Sequence, residues 1–160
     1  MKKILILLLL IFVVIQFIRP AKNIHEVDQS KNVASVFQTP ISVKNSLEVS
    51  CYDCHSNNTV YPWYNNFQPV MWYLNKHVVE GKEELNFDEY ADNNLKRQYH
   101  KMEEIVDILD KNEMPLSSYT LIHKDAQLNP QEKDELINWA KANMEYMKGK
   151  YPLDSLLKKK

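Results

Sequence analysis

The chain of 160 residues carries 20 basic and 21 acidic side chains, which leaves a net charge of -1. This balance argues against a nucleic-acid-binding protein, which needs a basic stripe on its surface. The only two glycines are Gly81 and Gly149, so the sequence has no glycine-rich loop to cradle a phosphate. The length indicates one domain once an N-terminal segment has been set aside.

Residues 1–19 begin with Met-Lys-Lys and continue as an apolar run that only Gln16 interrupts. This pattern is typical of a signal peptide or membrane anchor whose positive end stays on the cytoplasmic side. The run is marginal for a spanning helix, which needs about 20 apolar residues. Because no small-x-small cleavage site follows, a retained anchor formed by residues 4–18 is favoured over a cleaved signal. Both interpretations export the chain to the periplasmic side of a bacterial cell envelope, and the anchor predicts attachment to the inner membrane.

Residues 20–39 show no sustained hydrophobic period and predict a linker between that segment and the domain. A first helix is predicted after Thr39 and Pro40, an N-cap residue followed by a proline at the first helical position. Its apolar stripe runs at helical spacing through Val43, Leu47, Cys51 and Cys54. The two cysteines are therefore expected at the end of a helix.

Three more helices are predicted, and strand alternation is nowhere convincing. The second helix begins at Pro69 and ends at Gly81, where a glycine C-cap is expected. The third has an apolar stripe with steps of four and three residues, namely Leu95, Tyr99, Met102, Val106 and Leu109. The fourth begins with Asn129 and Glu132, a variant of the capping box, and ends at Gly149.

These elements define an all-α domain over residues 40–150, with informative loops at residues 56–68 and 111–128 and a basic tail at residues 151–160. A helical domain of this size can bury a core, although small domains often need a metal, a disulfide or a cofactor as a staple. The only candidate for such a staple is the CYDCH motif at residues 51–55.

The CYDCH motif allows four interpretations. A disulfide between Cys51 and Cys54 suits an exported protein, but it closes too short a loop to contribute much stability. A redox-active cysteine pair needs a βαβ context that the sequence lacks. A structural zinc site needs four ligands, and the remaining histidines are scattered. Cys-x-x-Cys-His in an exported helical domain is the attachment signature of c-type haem, which is favoured over the disulfide and zinc alternatives.

Attachment of haem c requires this spacing. The thiols of Cys51 and Cys54 have to reach two vinyl groups on one edge of the porphyrin, and His55 has to place an imidazole nitrogen against the iron. The second axial ligand is predicted to be Met114, an apolar side chain in a polar loop directly before a proline. The alternatives, in falling order of preference, are His77 and then a group made up of His100, His123, Met71 and an open coordination position.

Loop 56–68 is predicted to complete the haem pocket. A carbonyl near Pro62 is the expected acceptor for the second ring nitrogen of His55, since such a hydrogen bond sets the tautomer of an axial histidine. Four aromatic side chains of the loop are expected to wall the haem and exclude water, namely Tyr61, Trp63, Tyr64 and Phe67.

Three segments of the chain carry a resemblance to a known family, namely CYDCHSNNTVYPWYN, HVVEGKEELNFDEY and EMPLSSYTLIHKDAQLNPQEKDELINWA. Over residues 40–142 the sequence resembles the small haem-binding domain proteins of bacterial envelopes, a cytochrome c-like family with a single CxxCH motif. The resemblance implies one covalent haem on Cys51 and Cys54, with His55 and Met114 as iron ligands. It also implies a cytochrome c-like packing of the first and last helices.

The middle segment departs from the family pattern at Asp88 and Tyr90, where serine and tryptophan are common. The change is mild and leaves the haem assignment as it stands. The residues of this segment have a structural interpretation only, with Asn86 as a helix start and Gly81 as a cap.

The leading functional hypothesis is a monohaem c-type cytochrome that carries single electrons between redox partner proteins of the envelope. Histidine and methionine ligation favours a comparatively high potential, because a thioether donates weakly to the iron. Enzymatic activity is not expected, because a sixth protein ligand blocks substrate access to the iron. The alternative is a haem-based gas sensor or ligand-binding module, in which Met114 is labile or does not bind the iron.

Overall fold

The computed structural model describes residues 1–157, which form helices joined by loops. The α-helices are α1 (Lys2–Ile15), α2 (Val33–Val36), α3 (Ile41–Ser50), α4 (Tyr52–His55), α5 (Val70–Glu84), α6 (Leu95–Asp110), α7 (Ser117–Thr120), α8 (Pro130–Lys150) and α9 (Leu153–Leu156). Short 3-10 helices lie at Gln29–Lys31, Trp63–Asn66, Phe87–Asp92 and Lys124–Ala126. The only β-type pairing within residues 1–157 is one antiparallel bridge between Ile24 and Asn58. The predicted all-α class is confirmed.

Helix α1 forms from the apolar run near the N-terminus. It is 14 residues long, and none of its residues is buried. Among the described residues, no helix combines the length and the apolar character that a membrane crossing requires. Attachment to a membrane through residues 4–18 stays a prediction.

The core lies where α6 and α3 both pack against α8. The predicted stripe of α6 is confirmed by the burial of Tyr99, Met102 and Leu109. Helix α8 contributes Leu136, Ile137, Ala140 and Met147 to the same core. Full burial of one large apolar side chain stabilises the fold by about 1.5–3 kcal/mol. The contact between α3 and α8 is the one that the family resemblance implies for the first and last helices of the domain.

Local signals define some helix ends and not others. The capping box of α8 is confirmed, because the Asn129 side chain accepts from the N–H of Glu132 at 2.9 Å and Glu132 accepts from the N–H of Asn129 at 2.8 Å. Helix α3, in contrast, begins at Ile41 with Pro40 in the cap position. Thr39 donates its hydroxyl to an upstream carbonyl and does not cap the helix, so that prediction is wrong.

Both predicted glycine caps are wrong as well. Helix α5 continues past Gly81 to Glu84, and α8 continues past Gly149 to Lys150. The two glycines therefore lie inside helices, and packing explains the glycine only at position 81, because nothing lies within 4 Å of a Cβ added at position 149.

Residues 20–39 are packed onto the domain and do not form the predicted linker. Val33 and Phe37 are buried in the core, and α2 packs against the 3-10 helix Phe87–Asp92. The segment lacks a hydrophobic period because its short helical pieces bury only isolated side chains. Its contribution to the core was therefore not visible as a pattern.

The predicted basic tail, residues 151–160, also begins inside the domain. It opens with α9, whose Leu156 is buried in the core, and α9 packs against α6. The last three residues, 158–160, lie outside the described residues.

Asp88, one of the two departures from the family pattern, joins separate segments of the chain. Its carboxylate accepts from Nδ2 of Asn32 at 2.9 Å and from the backbone N–H of Asn57 at 2.8 Å. All three residues are buried. Asn32 belongs to the segment predicted as a linker, and Asn57 follows the CYDCH motif. Asp88 therefore holds both segments against the 3-10 helix in which it lies.

Replacement of Asp88 by alanine is expected to destabilise the domain by about 2–4 kcal/mol, because it leaves two buried N–H donors without an acceptor. Urea unfolding followed by circular dichroism measures the change. The matched control is Asp92→Ala, which removes an exposed ion pair with Lys31 at 2.9 Å and should leave the unfolding midpoint unchanged. Equal shifts in the two variants contradict the role assigned to Asp88.

Candidate functional site

The CYDCH motif lies at a break between two helices. Helix α3 ends at Ser50, Cys51 has φ -127° and ψ -40°, and α4 begins at Tyr52. The N–H of His55 donates to the carbonyl of Cys51 at 3.0 Å, so the motif closes into a single turn of its own. The predicted apolar stripe is therefore interrupted at Cys51, and the motif turn is oriented separately from α3.

All four predicted site residues line one cavity of about 340 Å³, namely Cys51, Cys54, His55 and Met114. We call it the motif cavity. Helix α5 contributes His77 and Gly81 to its wall. Met114 is distant from the motif in sequence, and only the fold brings its thioether to the same space as the His55 imidazole.

A second cavity of about 350 Å³ shares Cys51, His55 and Met114 with the motif cavity. Most of its remaining wall is apolar and comes from four different parts of the fold: Leu47, Leu85, Phe87, Ile105, Ile108, Leu109 and Leu136. The imidazole and the thioether thus border two adjoining apolar spaces.

The His55 ring is oriented by a backbone carbonyl. Its Nδ1–H donates to the carbonyl of Leu85 at 2.9 Å, which leaves Nε2 free for a metal. Burial lowers the pKa of His55, while hydrogen bonds to the backbone at Leu85 and Gly81 oppose that shift. The ring is therefore neutral near pH 7, the form that binds iron. The predicted acceptor near Pro62 is wrong, and the acceptor belongs to the segment for which the sequence indicates no site role.

The two cysteines are free, protonated thiols. Burial raises the pKa of Cys51 to about 12 and the pKa of Cys54 to about 11. The nearby Cys54 adds to the shift of Cys51, and the Asp53 carboxylate adds to the shift of Cys54. A thiol with so high a pKa is a poor nucleophile at neutral pH. The structure therefore gives no support to a redox-active cysteine pair.

Gly81 lets α5 approach the motif turn. A Cβ atom at this position would lie 2.7 Å from the carbonyl oxygen of Cys54 and 3.1 Å from its Cβ. Carbon atoms pack comfortably at about 3.5–4.0 Å, so a larger residue does not fit without moving α4. The sequence contained one hint of this close approach, a glycine inside a helical pattern. Such a glycine is as consistent with close packing as with a helix cap.

Asp53, the second residue between the cysteines, ties the motif to two loops. Its carboxylate accepts from the N–H of Val60 at 2.9 Å and from the hydroxyl of Tyr119 at 2.7 Å. Burial, together with the Asp53 carboxylate, raises the pKa of Tyr119, so the hydroxyl remains a donor. The Tyr119 ring stacks on His123 at 4.4 Å, and Nε2 of His123 is 2.6 Å from the hydroxyl of Tyr64. Sequence reasoning missed this network, since none of its spacings is a recognised pattern.

A third cavity of about 400 Å³, the aromatic cavity, lies on the Cys54 side of the motif. Tyr61 and Tyr64 line this cavity and not the motif cavity, so their predicted role as walls of the haem stays a prediction. Trp63 and Phe67 are exposed instead, so the prediction that they wall the haem is wrong.

The fold places the alternative axial ligands at different sites, and only one of them lines the motif cavity. His77 lines the motif cavity, and its Nδ1–H donates to a carbonyl one turn earlier at 2.8 Å. His100 pairs with glutamates of α6, His123 lines the aromatic cavity and Met71 is buried in α5. Within the motif cavity, Met114 and His77 are therefore the two candidates for the second axial position.

An all-helical domain with imidazole and thioether side chains beside mostly apolar cavities is suited to a metal-bearing macrocycle. In the comparison with known families, the model described as a haem-binding domain matches residues 10–142. The chain belongs to this haem-binding domain family. The match begins within α1 and includes residues 20–39, in agreement with the packing of that segment on the domain. No curated protein and no solved structure gives a significant match.

The residues present fit haem. Neutral histidine and methionine are both axial ligands of haem iron in proteins, and the adjoining cavities supply apolar walls. Within residues 1–157, no group of three or more His, Cys, Asp or Glu side chains is arranged to hold a metal ion. The zinc alternative therefore has no support in the described part of the chain.

Proposed function

We propose that the protein is a monohaem c-type cytochrome that carries single electrons in the bacterial cell envelope. In this proposal Cys51 and Cys54 hold the haem covalently, and His55 and Met114 are its axial ligands. The observation that carries the proposal is that these four side chains line one cavity, although Met114 comes from a different loop.

Each of the chain's site residues has a defined task in this proposal. Cys51 and Cys54 would hold the haem through thioethers, each made by addition of the S–H across one vinyl double bond, so that no atom would be lost. The carbonyl of Leu85 holds the His55 ring through Nδ1, which directs Nε2 to the iron. Met114 contributes a weak thioether donor, which favours a comparatively high potential. The bound haem supplies reversible one-electron chemistry, and the apolar cavity walls keep water away from it.

The proposal also covers location and partners. Residues 4–18 attach the chain to the inner membrane, or are removed as a signal, and the domain faces the periplasm. Redox partner proteins of the envelope deliver and accept the electrons. No enzymatic activity is assigned, because Met114 on the iron leaves no coordination position for a substrate.

Mass spectrometry of the denatured chain tests the covalent attachment. The protein is expressed with a cytochrome c maturation machinery and denatured before measurement. A mass gain of one intact haem supports the proposal. A folded, colourless domain with an unmodified mass rejects it.

Met114→Ala is expected to leave the haem attached and to open the sixth position of the iron, because both thiols and His55 are untouched. The oxidised variant should lose the weak red absorption band of methionine-ligated haem, and the reduced variant should bind carbon monoxide rapidly. His77→Ala is the matched control, since His77 is the other candidate in the motif cavity. It should leave both properties unchanged.

The same spectra separate the alternatives. If His77→Ala alters the absorption spectrum and carbon monoxide binding while Met114→Ala leaves both as in the wild type, the second axial position belongs to His77. A wild-type protein that lacks the band and binds carbon monoxide rapidly supports the haem-based gas sensor or ligand-binding module instead.

A further inference from the structure

A patch of exposed apolar side chains lies near the end of α1 and has no task in the proposed haem site. Its members, which we call the aromatic surface, are Val60, Trp63, Phe67, Val70, Tyr73 and Ile122. The Trp63 ring contacts the rings of Phe67 at 6.3 Å and of Tyr64 at 5.8 Å. Tyr64 itself lines the aromatic cavity. The same cavity is lined by the four remaining members of the surface, namely Val60, Val70, Tyr73 and Ile122. The six residues are therefore neighbours, and an exposed apolar patch of this kind marks an interaction site.

The six side chains of the aromatic surface are uncharged, and the charged groups beside them come from other segments: Arg19 donates to the carbonyl of Asn66 at 3.3 Å, and Asp53 accepts from the N–H of Val60 at 2.9 Å. Residues 56–75 and 114–122 supply all six members and contain no Asp, Glu, Lys or Arg, although such residues make up 26% of the chain. The surface itself therefore offers a partner apolar and aromatic side chains and no charged one. Tryptophan and tyrosine combine an apolar ring with a polar tip and are enriched where a membrane meets water.

Hydrogen bonds fix the end of α1 beside the aromatic surface. Gln16 accepts from the N–H of Gln68 at 2.9 Å and donates to the carbonyl of Gln68 at 3.3 Å. The carbonyl of Ile18 accepts from Nε2 of Gln68 at 2.8 Å and from Nε1 of Trp72 at 2.9 Å. Gln68 directly follows Phe67, so α1 leaves the domain at the edge of the surface. This contact also accounts for Gln16, the single polar break in the apolar run.

We infer that the aromatic surface rests in the interface of a lipid bilayer, into which the apolar side chains of α1 also insert. An apolar helix alone would tether the domain in any orientation, whereas the hydrogen bonds and the surface together hold one orientation. The aromatic cavity is lined by Cys54 as well, so this orientation turns the Cys54 side of the motif toward the membrane. The inference rests on the proposed membrane attachment of residues 4–18 and adds the domain's own contact to it.

Hydroxyl-radical footprinting of the full-length, haem-loaded chain on phosphatidylcholine vesicles tests this contact, with mass spectrometry as the readout. Tyr73 and Tyr146 are a matched pair, because each is 51% exposed and only Tyr73 belongs to the aromatic surface. Vesicle binding is expected to reduce the oxidation of Tyr73, Trp63 and Phe67 several-fold and to leave Tyr146 unchanged.

The outcomes separate this inference from the proposed attachment. Protection of Phe12 in α1 without protection of Trp63 overturns the inference and leaves the attachment intact. Absence of protection at both positions overturns both. Protection of Trp63 in the absence of lipid, increasing with protein concentration, assigns the surface to a second copy of the chain and overturns the inference as well.

A variant provides a second measurement. Trp63→Glu combined with Phe67→Glu is expected to weaken vesicle binding by about tenfold or more, given the burial free energy of two large apolar side chains. The control is Ile41→Glu, an exposed apolar residue at the start of α3 and outside the aromatic surface. It should leave vesicle binding unchanged, and an equal loss in both variants overturns the inference.

Discussion

Gly81→Ala is expected to destabilise the domain by about 1–3 kcal/mol, the cost of adding a group to a closely packed contact. The new Cβ would lie 2.7 Å from the carbonyl oxygen of Cys54, and a backbone carbonyl has no rotamer by which to avoid it. Helix α4 must then move away from α5, and α4 carries Cys54 and His55. The fraction of chains that acquire haem is therefore expected to fall together with the stability.

Gly149→Ala is the matched control, because nothing lies within 4 Å of the Cβ that it adds inside α8. Alanine is favoured over glycine in a helix by about 1 kcal/mol, so this variant should be more stable than the wild type. Urea unfolding of both variants should thus give free-energy changes of opposite sign. If Gly81→Ala is stabilised too, the contact between α4 and α5 is not as close as the structure has it.

Cys51→Ala combined with Cys54→Ala is expected to abolish covalent attachment of the haem. Alanine keeps the Cβ of Cys54 that packs beside Gly81, so the contact between α4 and α5 is retained and only the sulfur atoms are lost. The hydrogen bond from His55 to Leu85 is untouched, and haem should bind without a covalent link. Denaturing mass spectrometry then finds an unmodified chain, while the visible spectrum of the native protein still shows haem.

Ser50→Ala is the control for that experiment. Ser50 lines the same two cavities as Cys51 but carries no thiol, so its replacement should leave the attachment complete. Each single cysteine variant retains one thioether and should reduce the yield of attached haem without abolishing it. Haem that survives denaturation in the double variant is incompatible with Cys51 and Cys54 as the attachment points.

The candidate site was accessible from sequence because its chemistry has a local signature. Cys51, Cys54 and His55 are adjacent enough for their spacing to indicate haem, and Met114 is a single apolar residue in a polar loop before a proline. All four line the motif cavity. The acceptor for His55 was not accessible in this way. Every residue carries a backbone carbonyl, and only the path of the chain brings that of Leu85 within 2.9 Å.

Three of the wrong predictions have a common physical origin in contacts between distant parts of the chain. The sequence predicts Gly81 as a helix cap because the contact that requires a glycine there, the close approach of Cys54, involves another helix. Phe37 reads as part of a linker because one buried side chain produces no period. The sequence predicts Trp63 as part of the haem pocket because its side chain is aromatic and apolar. Whether such a side chain is buried or exposed depends on the fold around it, and Trp63 is exposed.

By itself, the sequence determines the helical class, the stripe of α6, the capping box of α8 and the spacing of Cys51, Cys54 and His55 in the CYDCH motif. Each of these depends on residue types within a turn or two of one another, and local spacing is enough to express them. Only the tertiary structure decides which carbonyl orients His55, which glycine separates two helices and which aromatic side chains remain exposed. Those properties depend on pairs of residues far apart in the chain, and they exist only once the segments have packed against one another.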